Sequence, residues 1–139
     1  MTGRIRKIVG TAAAATGLAL SPLTASAAEG PISGSSYNGC ATASGTYGWQ
    51  LTSQAEKLYR TWGSARLSMN LSKCASSVTG AVLQRSETST ADHSYKYWAS
   101  TVRGQTFTVS LEDTNVRDVR FRICNVHSGG KIDGCGRVQ

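Results

Sequence analysis

The side chains able to do acid–base or nucleophilic work are few. The histidines are His93 and His127, and Asp92-His93 is the best acid–base couple in the chain. It sits in the polar stretch 86–94, where a surface loop is the simpler account. His127 falls with Lys131 and Asp133 in a Gly-rich segment between Cys124 and Cys135. If those cysteines pair, the segment is a stiff closed hairpin. Stiff loops on a sheet scaffold are common contact elements, so His127 and Lys131 are candidate partner-binding residues. Serines are plentiful, but abundance is not activation. The chain has no Gly-x-Ser-x-Gly elbow, no His-Glu-x-x-His and no phosphate loop. Cys-x-x-Cys is also absent, and neither histidine lies at ligand-like spacing from a cysteine, so no metal or other cofactor is expected. The expectation is binding rather than catalysis.

Aromatic and basic residues form the second constellation. In a strand over 95–101, Tyr95 and Tyr97 point to one face and Lys96 and Trp98 to the other. If the neighbouring strand carries Arg120 and Arg122, then Trp98, Arg120 and Arg122 make an exposed patch of residue types that dominate interface energetics. The same types stack on sugar rings, with Asn115 and Asp118 as nearby polar groups.

The elements that would position these residues begin after an export signal. Arg4, Arg6 and Lys7 precede an uncharged apolar run of thirteen residues, 8–20, and Ala25-Ser26-Ala27 follows as a small-residue cleavage site. The run is short for a bilayer core about 30 Å thick, so residues 1–27 read as a cleaved signal peptide, cut after Ala27 or Ala28, and the product as secreted and extracellular. Removing those residues from 139 leaves 112, one domain's worth. It also takes three of the 15 basic residues against 8 acidic ones, so the net charge falls from +7 to +4. With no long basic run left, no nucleic-acid partner is expected, and no membrane partner after cleavage.

Export sends Cys40, Cys74, Cys124 and Cys135 to an oxidising compartment, where two bridges form. Three connectivities are possible. Cys40–Cys74 with Cys124–Cys135 is favoured, because the second pair flanks the Gly-rich turn. Residues 28–48 are Gly, Ser, Ala and Thr with few large apolar side chains, which predicts a flexible N-terminal arm. Pro31, Ile32 and Tyr37 would be its contact residues, ordering on a partner.

From residue 49 to 139 the pattern is that of a single antiparallel β-sandwich or small barrel, all-β. Ala65, Leu67, Met69 and Leu71 alternate with polar residues, as do Phe107, Val109 and Leu111, and Val119, Phe121 and Ile123. Weaker strands are expected over 54–62, 78–85, 95–101 and 136–139. Trp62-Gly63-Ser64, Gly104-Gln105, Ser128-Gly129-Gly130 and the polar run 112–115 are the expected turns. Ser53 and Glu56 carry a capping-box pattern that competes for one helical turn. By parity Cys74 and Cys124 lie off the apolar faces, so both bridges are expected to staple edges and loops.

An Ala- and Thr-rich leader before a compact two-bridge β domain resembles the small secreted proteins of filamentous actinobacteria. Leu58-Tyr59-Arg60-Thr61-Trp62 resembles the surroundings of the Trp-Arg-Tyr triplet of their α-amylase inhibitors, but Gly63 follows Trp62 and the triplet is absent. The subtilisin-inhibitor family is similar in size and bridge count, yet its Cys-Pro element is missing. Residues 28–139 also resemble the small adaptor subunit of streptomycete umbrella toxin particles. That resemblance implies a non-enzymatic module that joins another secreted protein, a larger toxin, to a lectin-bearing subunit. A hydrolase inhibitor and a small lectin are the alternatives.

Overall fold

The computed structural model describes residues 26–88 and 94–137. The expected signal peptide up to residue 25, Asp92-His93 and the last two residues lie outside the described residues. Among the described residues nine strands follow in order: β1 (Ala28–Ser35), β2 (Ala41–Ser53), β3 (Leu58–Met69), β4 (Val78–Ser86), β5 (Lys96–Val102), β6 (Phe107–Ser110), β7 (Asp113–Val116), β8 (Arg120–His127) and β9 (Ile132–Asp133). They form two antiparallel sheets, one ordered β1-β2-β3-β6 with β7 also on β3, the other β5-β4-β8-β9. The molecule is the all-β sandwich with two disulfides that the alternation implies.

The core lies where the inward sets meet. Ile32, Ala41, Ala43, Ala65 and Leu67 of the first sheet face Ala81, Leu83, Phe121 and Ile123 of the second, with Leu111 between. Small residues line the β1–β2 part of the first sheet, which lets the large side chains of the second fill the gap. Trp62 lies across Gly48, its register partner, where a Cβ would come within 2.2 Å of the indole.

One expectation is overturned outright: residues 28–48 are not a flexible arm. Residues 28–35 pair with 42–49 of β2 in eight consecutive antiparallel partners, and Ile32 is only 5% exposed. The composition argument asks whether a segment can fold alone, and this one does not need to. Its first half adds to the edge of β2 and buries Ile32, and Ala41 and Ala43 of its second half enter the same core, which the other strands complete. Pro31 and Ile32 therefore belong to a paired strand, and Tyr37 to the 3₁₀ turn that follows it, rather than to an arm.

Smaller corrections concern boundaries. The strand expected over 54–62 begins only at Leu58, because residues 54–57 are the β2–β3 turn, and Lys57 there takes positive φ. The capping-box contact exists without a helix, the Glu56 N–H donating to Ser53 Oγ at 3.4 Å. Trp62-Gly63-Ser64 is no turn. β3 passes straight through it, and Gly63 absorbs the bend at φ 123°. Leu71 leaves the strand for a 3₁₀ turn and is exposed. The polar run 112–115 is largely strand β7, which continues β6 along β3, with the Leu111 N–H donating to the Gly63 carbonyl between them, and the chain bends only afterwards, at 117–119. The C-terminal strand is β9, ahead of the expected 136–139.

Both bridges join as favoured, Cys40–Cys74 and Cys124–Cys135. The first ties the β1–β2 connection to the β3–β4 connection. The second pins the C-terminal segment along the edge of β8 beyond β9, where the Gly136 N–H donates to the Ile123 carbonyl. Cys124 is off the apolar face, as parity requires, yet it is fully buried beneath that segment.

Candidate functional site

At the end of the sandwich away from the bridges, the two sheets part around a cleft of about 410 Å³. Its floor is the inner face of the β2–β3 hairpin. Tyr47 packs edge-on against Phe121 at 5.3 Å, and beyond that contact the hairpin carries Trp49, Tyr59 and Thr61 into the opening. Trp49 stays 38% exposed. The sequence places these aromatics on one face because they sit at odd positions of β2 and β3 in register, Trp49 opposite Thr61 and Leu51 opposite Tyr59. Pro31 and Ile32 of β1 close one side.

The facing wall is the end of β7, Val116, and the short connection from β7 to β8, which contributes Arg117, Asp118 and Val119. It is held at three points. Thr88 donates its hydroxyl to Asp118 Oδ2 at 2.6 Å and its N–H to the Arg117 carbonyl at 3.1 Å, and Arg117 Nη1 reaches the Glu56 carbonyl at 3.4 Å. A cleft pinned in this way is formed before any ligand arrives, which spares the ordering cost of binding.

A polar pivot lies behind the cleft. Arg85 extends from the inner face of β4, with a side chain only 7% exposed, and bridges the sheets. Its Nη1 is 2.6 Å from Asp113 Oδ2, its Nη2 pairs with Glu87, and its guanidinium lies 4.4 Å from the centroid of Trp98. Burial pushes the Tyr47 phenol up from its ordinary value, against the opposing pull of the Thr61 hydrogen bond and the Arg85 charge.

Trp98 is therefore not part of a surface patch with Arg120 and Arg122. The β4–β5 register slips between Leu83 and Gln84, and the bulged Trp98 packs onto the core, its indole N–H donating to the Ser110 carbonyl at 3.3 Å. Arg122 instead stacks on Tyr95 at 4.0 Å and donates to Gln84, while Arg120 is exposed at the start of β8. Of the supposed arm residues, Pro31 and Ile32 line the cleft. Tyr37 sits at the opposite end, 67% exposed, its N–H held by the Gly134 carbonyl.

That opposite end carries the stapled hairpin. His127 Nε2 is 2.6 Å from Asp133 Oδ1, Lys131 Nζ is 3.1 Å from Asp133 Oδ2, and Ser77 Oγ is 3.0 Å from His127 Nδ1. Sequence reading placed His127, Lys131 and Asp133 together but missed Ser77, which is 50 residues away and reaches His127 only through the β4–β8 register.

The cleft suits binding. Its titratable side chains among the described residues are Tyr47, Tyr59, Arg117 and Asp118. Aromatic faces with a carboxylate and a guanidinium on the wall can seat a flat or apolar group and orient it by hydrogen bonds. Among the described residues no group of three metal-ligating side chains occurs, and no helix is long and apolar enough to cross a membrane.

Fold and site together define a two-bridge antiparallel β-sandwich with a preformed aromatic cleft at one end. No protein-family model matches the chain, and neither a curated protein nor a solved structure is similar to it.

Proposed function

We propose that the chain is an exported binding module that joins other secreted proteins as an adaptor, with the cleft as its principal contact. The observation that carries this reading is the cleft itself: Trp49, Tyr59, Tyr47 and Phe121 around an opening whose facing wall is pinned at three points. Buried aromatic anchors are what hot spots of protein interfaces are made of, and a partner side chain of similar kind would fill the space. The basic leader and the two disulfides support export. By its resemblance to the umbrella-particle adaptor, the partners would be a larger toxin and a lectin-bearing subunit.

A second reading, a small lectin, is favoured by one specific feature: Asp118 lines the same cleft as Trp49 and Tyr59, so an acid and stacking rings share one opening. The inhibitor reading loses ground, because the Trp62 indole is half-buried and donates to Glu29 at 3.2 Å instead of projecting as a reactive loop.

The test is native-mass analysis of the tagged chain in the producer's secreted fraction, beside Trp49→Ala/Tyr59→Ala. The wild type should run in a large stoichiometric complex, and the double variant, of unchanged circular dichroism, as a monomer. A wild type that runs alone, or a double variant that still assembles, refutes the proposal. Quenching of Trp49 fluorescence by simple saccharides would favour the lectin instead.

A further inference from the structure

Backbone pairing brings three unconnected side chains into a line at the end remote from the cleft. Val78 pairs with His127 across β4 and β8, and the Ser128 N–H donates to the Ser77 carbonyl at 2.9 Å, which sets Ser77 beside the imidazole. The β8–β9 hairpin, closed by His127 N–H to the Lys131 carbonyl at 2.8 Å and by the Cys124–Cys135 bridge, sets Asp133 on the other side of the ring.

The direction of these hydrogen bonds follows from the acid. Hydrogen bonding from Lys131, opposed in part by desolvation and helped to a lesser degree by the bond and charge of His127, holds the Asp133 carboxyl below the usual carboxylate range, so it is an acceptor only. His127 Nε2 must then carry a proton toward it. In the neutral ring Nδ1 is left as a bare lone pair facing Ser77 Oγ at 3.0 Å, and the hydroxyl donates to it. This is the nucleophile, base and orienting-acid order of an activated serine, with the two ring nitrogens used the other way round from the familiar hydrolases. Either nitrogen serves as base once the other is protonated. The Ser77 side is open to water, and the Ser77 N–H donates to no carbonyl among the described residues, so it is available to an oxyanion.

We propose that Ser77 is an activated nucleophile, with His127 as its general base and Asp133 as the positioning residue, and that it takes small acyl or phosphonyl esters presented at the open surface. Ser77 Oγ bonds to the acyl carbon while its proton passes to His127 Nδ1. The tetrahedral intermediate then expels the alcohol oxygen, which takes that proton, leaving an ester on Ser77. Water, deprotonated by the same nitrogen, releases the acid and restores the hydroxyl. No co-reactant beyond water is needed. The site is separate from the cleft and stands whether or not the adaptor reading does.

The experiment is labelling of the folded chain with a fluorophosphonate, located by peptide mass, together with turnover of p-nitrophenyl acetate. Ser77 should be labelled ahead of the exposed Ser33. Ser77→Ala should abolish the label, and His127→Gln and Asp133→Asn should each slow labelling and ester turnover about 100-fold or more, with the urea midpoint measured for each. A hairpin clasp with a merely structural role would lose stability in the same variants but show no selective label. Labelling of Ser77 no faster than Ser33, or unchanged in Asp133→Asn, overturns the proposal.

Discussion

Removing the two bridges one at a time separates what each does. The perturbation is a pair of double variants, Cys40→Ala/Cys74→Ala and Cys124→Ala/Cys135→Ala. Both bridges carry one almost fully buried cysteine, Cys40 at 1% and Cys124 at 0% exposure, so the packing loss from the missing sulfurs is similar in the two. What differs is loop size, a sequence separation of 34 against 11. In the chain-entropy model these loops correspond to about 3.8 and about 2.8 kcal/mol of constraint on the unfolded chain. For a domain of this size the losses translate to falls in Tm of about 15 °C and about 11 °C. Urea denaturation with linear extrapolation reads them directly, with m rising in both variants as the unfolded chain expands. The larger loss should follow removal of Cys40–Cys74. If removing Cys124–Cys135 costs as much or more, the bridges do not act through the unfolded chain, and the hairpin staple carries native packing instead.

Two further outcomes follow from the cleft's surroundings. Arg85→Met should destabilise by about 2–4 kcal/mol in urea, because it strands the Asp113 carboxylate and removes the cation over Trp98. Adding Asp113→Asn should return part of the loss, and a single variant within about 0.5 kcal/mol of wild type would show that the ion pair does not join the sheets. Burial raises the Tyr47 phenol above its unfolded value of about 10, so its contribution to stability is complete below that pH and is lost as pH rises through the folded value. NMR titration of ring-labelled tyrosine should show Tyr47 ionising above the ordinary value, Tyr47→Phe should remove this part of the alkaline stability loss, and a Tyr47 that titrates normally contradicts its burial.

The class of fold could be read from the chain because alternation is a local property. Leu67 and Ala65, or Phe121 and Ile123, declare an inward face wherever the strand ends up, and local loop closure across a Gly-rich turn was enough to favour the pairing of Cys124 with Cys135. What alternation lacks is a partner. Residues 28–48 are too poor in apolar area to fold alone, and only the presence of β2, β3 and the second sheet makes a strand of β1 and buries Ile32. A one-residue slip between β4 and β5 decides that Trp98 meets Arg85 in the interior rather than Arg122 outside, and nothing in the period-two pattern announces a bulge. The candidate sites are likewise products of register. Trp49 and Tyr59 converge because two strands pair beyond the reach of the opposite sheet, and Ser77 meets His127 because β4 lies beside β8. Residue types and their sidedness belong to the sequence, and the distances between groups far apart along it belong to the tertiary structure, since only long-range backbone pairing can set them.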